Sequence, residues 1–376
     1  MEVTIVQPRL YPFTYRMSNI LKKNGIKLNC ISYYKQYIDR NSSHLFKRRI
    51  FLFNKNKNIL WNLLHIPIFL IELSKIKKNV LIGITSTTCF FVNIVFLFMR
   101  WKALKLIYFP YDIAFFRYKN NKKYPWYVRW SEKTLFKKCD KIIHKGPKDE
   151  LKYLPRNFKV LDKPSLQFLP YCEEETMIPI DNKFFERKLS KKDGKIHLVY
   201  VGGLYYNHKF HYDTFEIFEK ICRQKCVLHV YAHPIQQYNN LKKDKRYVSL
   251  QKTGKFFLHK PIYGKKFQRE ISKYDWGVYI FEHNFEIFKR IWANTAFGNK
   301  VSTYLESGLP IICNSELKFV KDTIEANNFG ISINNFNEIS KKIREADYKK
   351  ILEKIKNERE KFTLKRNINN FIQFIN

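Results

Sequence analysis

Short apolar runs of single-strand length recur along this chain, each followed by a stretch able to form a helix. The first is EVTIVQP; YRMSNILKKNG then runs to Gly25 and IKLNCISY follows, which makes a β-α-β unit. NVLIGIT (79–85), LKLIYFPYD ending at Asp112, and DKIIHKG (140–146) continue the pattern. Strands that alternate with helices predict a parallel sheet covered on both faces. Residues 155–195 change character, with Pro155, Pro164, Pro170, Pro179 and Gly194 and no long periodic run, and read as an interdomain region. A second alternation follows: KIHLVYVGGL, HYDTFEIFEKICRQK, VLHVYAHP, YVSLQ as a short strand, KKFQREISKY as a helix, DWGVYIF, GNKVSTYLESGLPIIC as helix plus strand, and GISI.

A chain of 376 residues, 45% hydrophobic, exceeds what one core usually organises. The expected architecture is α/β, two doubly wound Rossmann-like domains facing across a cleft. The N-terminal domain is expected over 1–175, a linker over 176–194, the second domain over 195–345, and closing helices over 346–376 that pack back towards the first domain.

The formal charge is +37, from 70 Lys and Arg against 33 Asp and Glu, and gives the surface a field that attracts anions. Nucleic acid, anionic lipid and phosphorylated substrates all qualify. Seven cysteines at irregular spacing read as thiols of a reducing, cytoplasmic compartment. ILWNLLHIPIFLIEL (59–73) and GITSTTCFFVNIVFLFM (83–99) are too short or too interrupted to span a bilayer. The first follows the basic, aromatic-bearing FKRRIFLFNKNKNI, so this region could either rest on an anionic membrane surface or pack inside an α/β domain.

In an open parallel sheet, ligands sit beyond the carboxyl ends of the strands. Gly202 and Gly203 lie at such an end, where glycine lets backbone N–H groups approach a phosphate; a tight turn would equally explain them. Lys209 follows closely, near His208 and His211. A helix starting near Asn299, with Asn299 as its cap, would aim first-turn N–H groups at the same mouth, and Lys300 would add a cation. Glu306 lies six residues on, about 9 Å along the axis and rotated by about 240° from Lys300. A carboxylate at that distance from a diphosphate could accept ribose hydroxyls. On the other domain, Asp112 and His144 end strands and are candidates for catalytic base, although a cap and a structural histidine are the plainer readings. Gln7 and Arg9 follow the first strand and are candidates for the acceptor side.

GNKVSTYLESGLPIICNSELKFVKDTIEANNFGISI resembles the donor-domain signature of GT-B fold glycosyltransferases, with a segment of the type Asn-Lys-x-x-x-Tyr-x-x-x-Gly-x-Pro before a strand. VYVGGL and ISKYDWGVYI fall in the order such enzymes show. The resemblance covers residues 195–335 closely and the N-terminal half in layout, and is nearest to bacterial enzymes that build surface polysaccharides, including galactofuranosyl- and glucosyltransferase-like members. It implies a hexosyltransferase in which Gly202 and Gly203 lie against the donor diphosphate, Lys300 neutralises it and Glu306 holds the ribose. Asn299, Ser302, Lys209 and Lys260 complete the implied donor set, Lys260 from the base-flanking loop HKPIYG. Many relatives carry a second glutamate eight residues before the ribose acid, where this chain has Gly298, so a retaining outcome does not follow. No Asp-x-Asp occurs, so a metal-independent reaction is expected, without a cofactor beyond the nucleotide-diphosphate sugar, UDP-sugar favoured. A glycan or lipid-linked acceptor and a peripheral position on the inner face of the plasma membrane complete the reading. A nucleic-acid-binding protein using the basic surface and a GT-B-shaped sugar-nucleotide epimerase are the alternatives. The chain shows no zinc spacing, no RNP-type signature and no separate basic helix, which argues against nucleic acid.

Overall fold

A computed structural model describes the chain except residues 36–43, 55–58, 86–88, 118–123, 205–213 and 282–289. It divides into two compact units, the first made of Met1–Leu169 with Asn367–Asn376 and the second of Pro170–Arg366.

Unit 1 contains seven strands: β1 (Glu2–Gln7), β2 (Lys27–Lys35), β3 (Arg48–Asn54), β4 (Asn79–Thr85), β5 (Ala103–Pro110), β6 (Lys141–His144) and β7 (Ser165–Gln167). They form one sheet in the order β3-β2-β1-β4-β5-β6-β7, parallel throughout. Every residue of β4 is buried, as expected of a strand covered on both faces. The chain steps one way from β1 to β3 and the other way from β4 to β7, so the order reverses between β1 and β4. Ligands of doubly wound sheets sit at such a reversal. β3 was not anticipated as a strand; RRIFLFN has the right composition, but its flanking basic residues read as surface.

Unit 2 contains β8 (Ile196–Gly202), β9 (Cys226–Ala232), β10 (Phe256–His259), β11 (Trp276–Tyr279), β12 (Ile311–Asn314) and β13 (Gly330–Ile333). The order is β10-β9-β8-β11-β12-β13, again parallel, with the reversal between β8 and β11. YVSLQ is not a strand but lies in the helix Lys245–Lys252. The Asp244 carboxylate accepts from the Arg246 N–H and caps that helix, while Tyr247 and Leu250, three apart, fill its buried side.

The stretch expected to be a linker, 176–194, belongs to unit 2. It carries two short helices, Asn182–Glu186 and Ser190–Asp193, and Phe184 is fully buried. A Cβ at Gly308 would lie 3.0 Å from both Ile180 and Phe184, so this segment packs tightly on the turn that follows the helix Asn299–Glu306. At the other end of the chain, Phe371 packs on Phe168 within unit 1, ring centroids 4.7 Å apart.

Candidate active site

The reversal between β8 and β11 is opened by one side chain. The two strands pair only at Trp276 with Leu198 and Gly277 with Val199, and beyond that they diverge. Tyr304 fills the gap: its hydroxyl donates to the Val278 carbonyl at 2.9 Å and accepts from the Val201 N–H at 3.3 Å. The ring lies where a Cβ on Gly277 would come within 2.4 Å, so glycine is required there. Backbone groups that a continuous ladder would pair are thereby satisfied, and the strand ends splay.

Gly202 ends β8 with φ +115°, in the region that only glycine enters without strain. Lys300 Cε would lie 3.2 Å from a Cβ at that position, so the lysine arm crosses the glycine directly. Its Nζ sits 3.7 Å from the Tyr200 ring centroid and 5.6 Å from that of Tyr279. No carboxylate or hydrogen-bond acceptor meets this ammonium among the described residues. Burial pushes it down to about 7. The Gly202-Gly203 turn is held from behind: Tyr200 Oη donates to the Gly203 carbonyl at 2.8 Å, and Gln237 exchanges two 2.9 Å bonds with the backbone of Leu204.

Gly298, not Asn299, caps the helix Asn299–Glu306, with extended backbone and no capping side chain. Asn299 is the exposed first helical residue. A Cβ at Gly298 would stand 2.7 Å from the Tyr279 hydroxyl, so a side chain here would require that hydroxyl to move. The less buried side of the helix carries Asn299 and Lys300, with Thr303 one turn beyond them. Thr303 was missed in sequence; the i, i+3 spacing from Lys300 was the available signal.

Ser302 and Glu306 lie on the opposite, buried face. The Ser302 hydroxyl donates to the Pro170 carbonyl. Glu306 is fully buried; its Oε1 accepts from the Glu173 N–H at 2.8 Å and its Oε2 from Gln268 Nε2 at 2.9 Å. Both carboxylate oxygens therefore fasten protein to protein, and the ribose role expected of Glu306 and the donor role expected of Ser302 are corrected accordingly. The physical reason is the 240° rotation: the residues that share a stripe with Glu306 face the 170–178 segment. Lys209, His208 and His211 lie outside the described residues. Lys260 is exposed in the loop after β10. Just before it, His259 ends a hydrogen-bonded row across the sheet: His259 Nε2 to His229 Nδ1 at 2.9 Å, His229 Nε2 to His197 Nδ1 at 2.9 Å, and His197 Nε2 to Asp193 at 3.0 Å. Burial, with the neighbouring imidazoles, lowers His229 to about 2, and burial lowers His259 to about 4.

In unit 1 the strand ends bring together part of the expected set. Asp112 follows β5, and its Oδ1 accepts from Lys145 Nζ at 2.7 Å. That ammonium also lies 4.0 Å from the Tyr111 ring centroid, and Tyr111 stacks on Tyr11. The exposed Arg9 places its guanidinium 5.2 Å from the Tyr11 ring centroid. His144 does not join this group: it is 1% exposed and its Nδ1 lies 3.3 Å from Glu150, which also accepts from the Gly146 N–H. Gln7 is fully buried, with Nε2 towards Cys30 Sγ at 3.4 Å. The structure thus buries both His144 and Gln7 inside the unit. Of the two neighbours, Lys145 and not His144 reaches Asp112. Among the described residues no cluster of three or more His, Cys, Asp or Glu could hold a metal ion.

Two parallel sheets with these reversals define a GT-B glycosyltransferase fold. Sucrose-phosphate synthase from Thermosynechococcus elongatus superposes with a TM-score of 0.69 at 12% identity, over 100% of this chain and 98% of that one. Anabaena HepE in complex with UDP and glucose gives 0.69 at 8% identity over 100% and 99%, and a glycosyltransferase from Rickettsia africae ESF-5 gives 0.66 at 14% over 100% and 97%. Residues 265–372 match the family described as Glucosyltransferase 3-like, C-terminal domain, so this chain carries a glycosyltransferase domain on that fold. No curated protein matches it in sequence.

Proposed function

We propose that this protein transfers a sugar from a nucleotide-diphosphate donor, a UDP-sugar in the favoured case, to a hydroxyl of a glycan acceptor. The observation that carries this is Lys300, a cation without a counter-charge among the described residues, laid across Gly202 at the splayed end of β8. A half-buried ammonium without a counter-charge gains free energy when an anion arrives, so the site suits one. When the bond from the anomeric carbon to the diphosphate breaks, negative charge grows on the leaving oxygen. Lys300 and the N-terminus of the helix Asn299–Glu306 face that charge, and do so without a metal or a further cofactor. Anabaena HepE is described in complex with UDP and with UDP-glucose, which supports uridine as the base.

Asp112 is the group assigned to the acceptor hydroxyl. Asp112 would take the proton of that hydroxyl, oriented by the Lys145 ammonium on its Oδ1. Arg9, Tyr11 and Tyr111 supply the cationic and stacking surface that a sugar ring needs. The acceptor is a lipid-linked glycan of surface polysaccharide assembly, met at the cytoplasmic side of the membrane. Turnover tests the reading: UDP release from UDP-sugars, with extracted lipid-linked glycans as acceptors, on the wild type, Lys300→Met and Asp112→Asn. Acceptor-dependent release that falls at least a hundredfold in each variant is expected. Release unchanged in Lys300→Met would refute the assignment.

A further inference from the structure

The chain steps from β3 to β4, β4 to β5 and β5 to β6 in one direction across the sheet of unit 1. Right-handed crossovers therefore put the three intervening helices, Ile59–Ser74, Cys89–Met99 and Trp126–Lys138, on one face. Each buries one side in the core, as Phe69 and Leu73, Val92 and Phe96, and Leu135 and Phe136 show. A surface helix would turn a polar side outward. These do not. Leu64, Ile68 and Ile71, spaced four and three apart, form an outward apolar stripe on the first helix, with Leu64 68% exposed. Phe98 continues it on the second, and Trp101 follows that helix at 73% exposure. Trp126 and Trp130, one turn apart, complete it on the third, with Trp126 76% exposed. Phe90 and Tyr127 meet at 6.2 Å and join the last two helices into one surface.

The border of this face is cationic. In a parallel sheet all three helices end at the same edge, and there the chain exposes Lys75, Lys77 and Lys78, then Arg100, then Lys137 and Lys138. The acid beside the first group, Glu72, is already paired with Lys75 at 2.5 Å. At the β3 side of the face lies a cleft of about 260 Å³ with Phe53, Trp61 and Ile68 in its wall and Arg49 among its lining.

We infer that this helix layer lies flat on an anionic bilayer, its tryptophans and aliphatic stripe in the headgroup boundary and its basic edge on acidic lipid headgroups. Tryptophan and tyrosine favour that boundary, and each cation near an anionic surface adds attraction. A second copy of the chain is a poorer occupant, because a two-fold contact would set the same basic edge against itself in a molecule already carrying +37. No helix among the described residues is long and apolar enough to cross the membrane, so contact is interfacial. The inference rests on unit 1 alone and does not depend on the donor site.

The test is co-sedimentation of the full chain with phosphatidylcholine vesicles, with and without about 30 mol% phosphatidylglycerol, at about 0.15 M salt. Two triple variants are compared, Ile68→Ser/Phe98→Ser/Trp126→Ser and Lys77→Glu/Lys78→Glu/Arg100→Glu. Binding to the anionic vesicles, absent on the neutral ones and weakened at least tenfold in both variants, is expected, with unchanged melting temperature and unchanged nucleotide affinity. That retained affinity separates a failure here from a failure of the donor-site reading. No wild-type binding would overturn the inference. So would full binding by the serine variant, which would reduce the effect to adsorption by net charge. A wild-type dimer that the serine variant dissociates would overturn it as well, and make the face a self-interface.

Discussion

If Lys300 is the donor's counter-charge, donor affinity follows its protonation. The burial that brings its ammonium to about 7 leaves it half neutral at neutral pH, and a bound diphosphate raises it again by opposite charge. Binding therefore takes up a proton. The fraction able to bind is about 0.9 at pH 6 and about 0.03 at pH 8.5, so affinity falls about 30-fold over that range, close to 2 kcal/mol. A nucleotide sugar is the ligand to use, because its esterified diphosphate has no proton of its own to lose there. Calorimetry in buffers of different ionisation enthalpy should show uptake of about half a proton at pH 7, approaching one at pH 8.5. Lys300→Arg should bind with a flat profile and Lys300→Met weakly and flatly. A flat wild-type profile, or proton release on binding, would refute the reasoning.

Three further outcomes follow from the same geometry. Glu306→Ala strands the Glu173 N–H and Gln268 Nε2, so thermal melting should report about 2–3 kcal/mol lost while nucleotide affinity stays within about twofold; a lost affinity in a stable variant would restore the carboxylate to the ribose. Gly277→Ala drives a methyl to 2.4 Å from the Tyr304 ring and should cost about 1–3 kcal/mol or more in denaturant unfolding; an unchanged midpoint would mean Tyr304 does not wedge the strands. His229 and His259 sit below their ordinary value when folded, so unfolding takes up protons as pH falls below about 6.5. Each contributes stability that is lost by about 1.4 kcal/mol per pH unit down to about 4, where His259 begins to take its own proton, and melting of His229→Leu should show a shallower acid limb than the wild type.

Much of the frame was readable from residue order. The strand and helix alternation located eleven strand sites, of which YVSLQ alone became a helix, because Asp244 and the Tyr247, Leu250 spacing act locally and were outweighed by β propensity. Gly202 with Lys300 was legible because a strand end and a helix start are both marked in sequence. Glu306 was misread because distance along a helix was weighed over rotation about it. What Glu306 faces is set by residues 170–178, which the sequence reading divided between the end of the first domain and the start of a linker rather than packing against this helix. The role of Tyr304 depends on two strands meeting, a tertiary fact that no local pattern contains. The same holds for Lys145, which reaches Asp112 only because β5 and β6 are neighbours.

The most direct measurement is calorimetric binding of a panel of nucleoside diphosphates and their sugars, with and without magnesium, to the wild type and Lys300→Met. The account predicts one preferred base, uridine, with affinity that magnesium changes little and that Lys300→Met lowers at least tenfold at neutral pH while melting as high as the wild type or higher. Equal binding by both proteins, or no nucleotide binding at all, would contradict it.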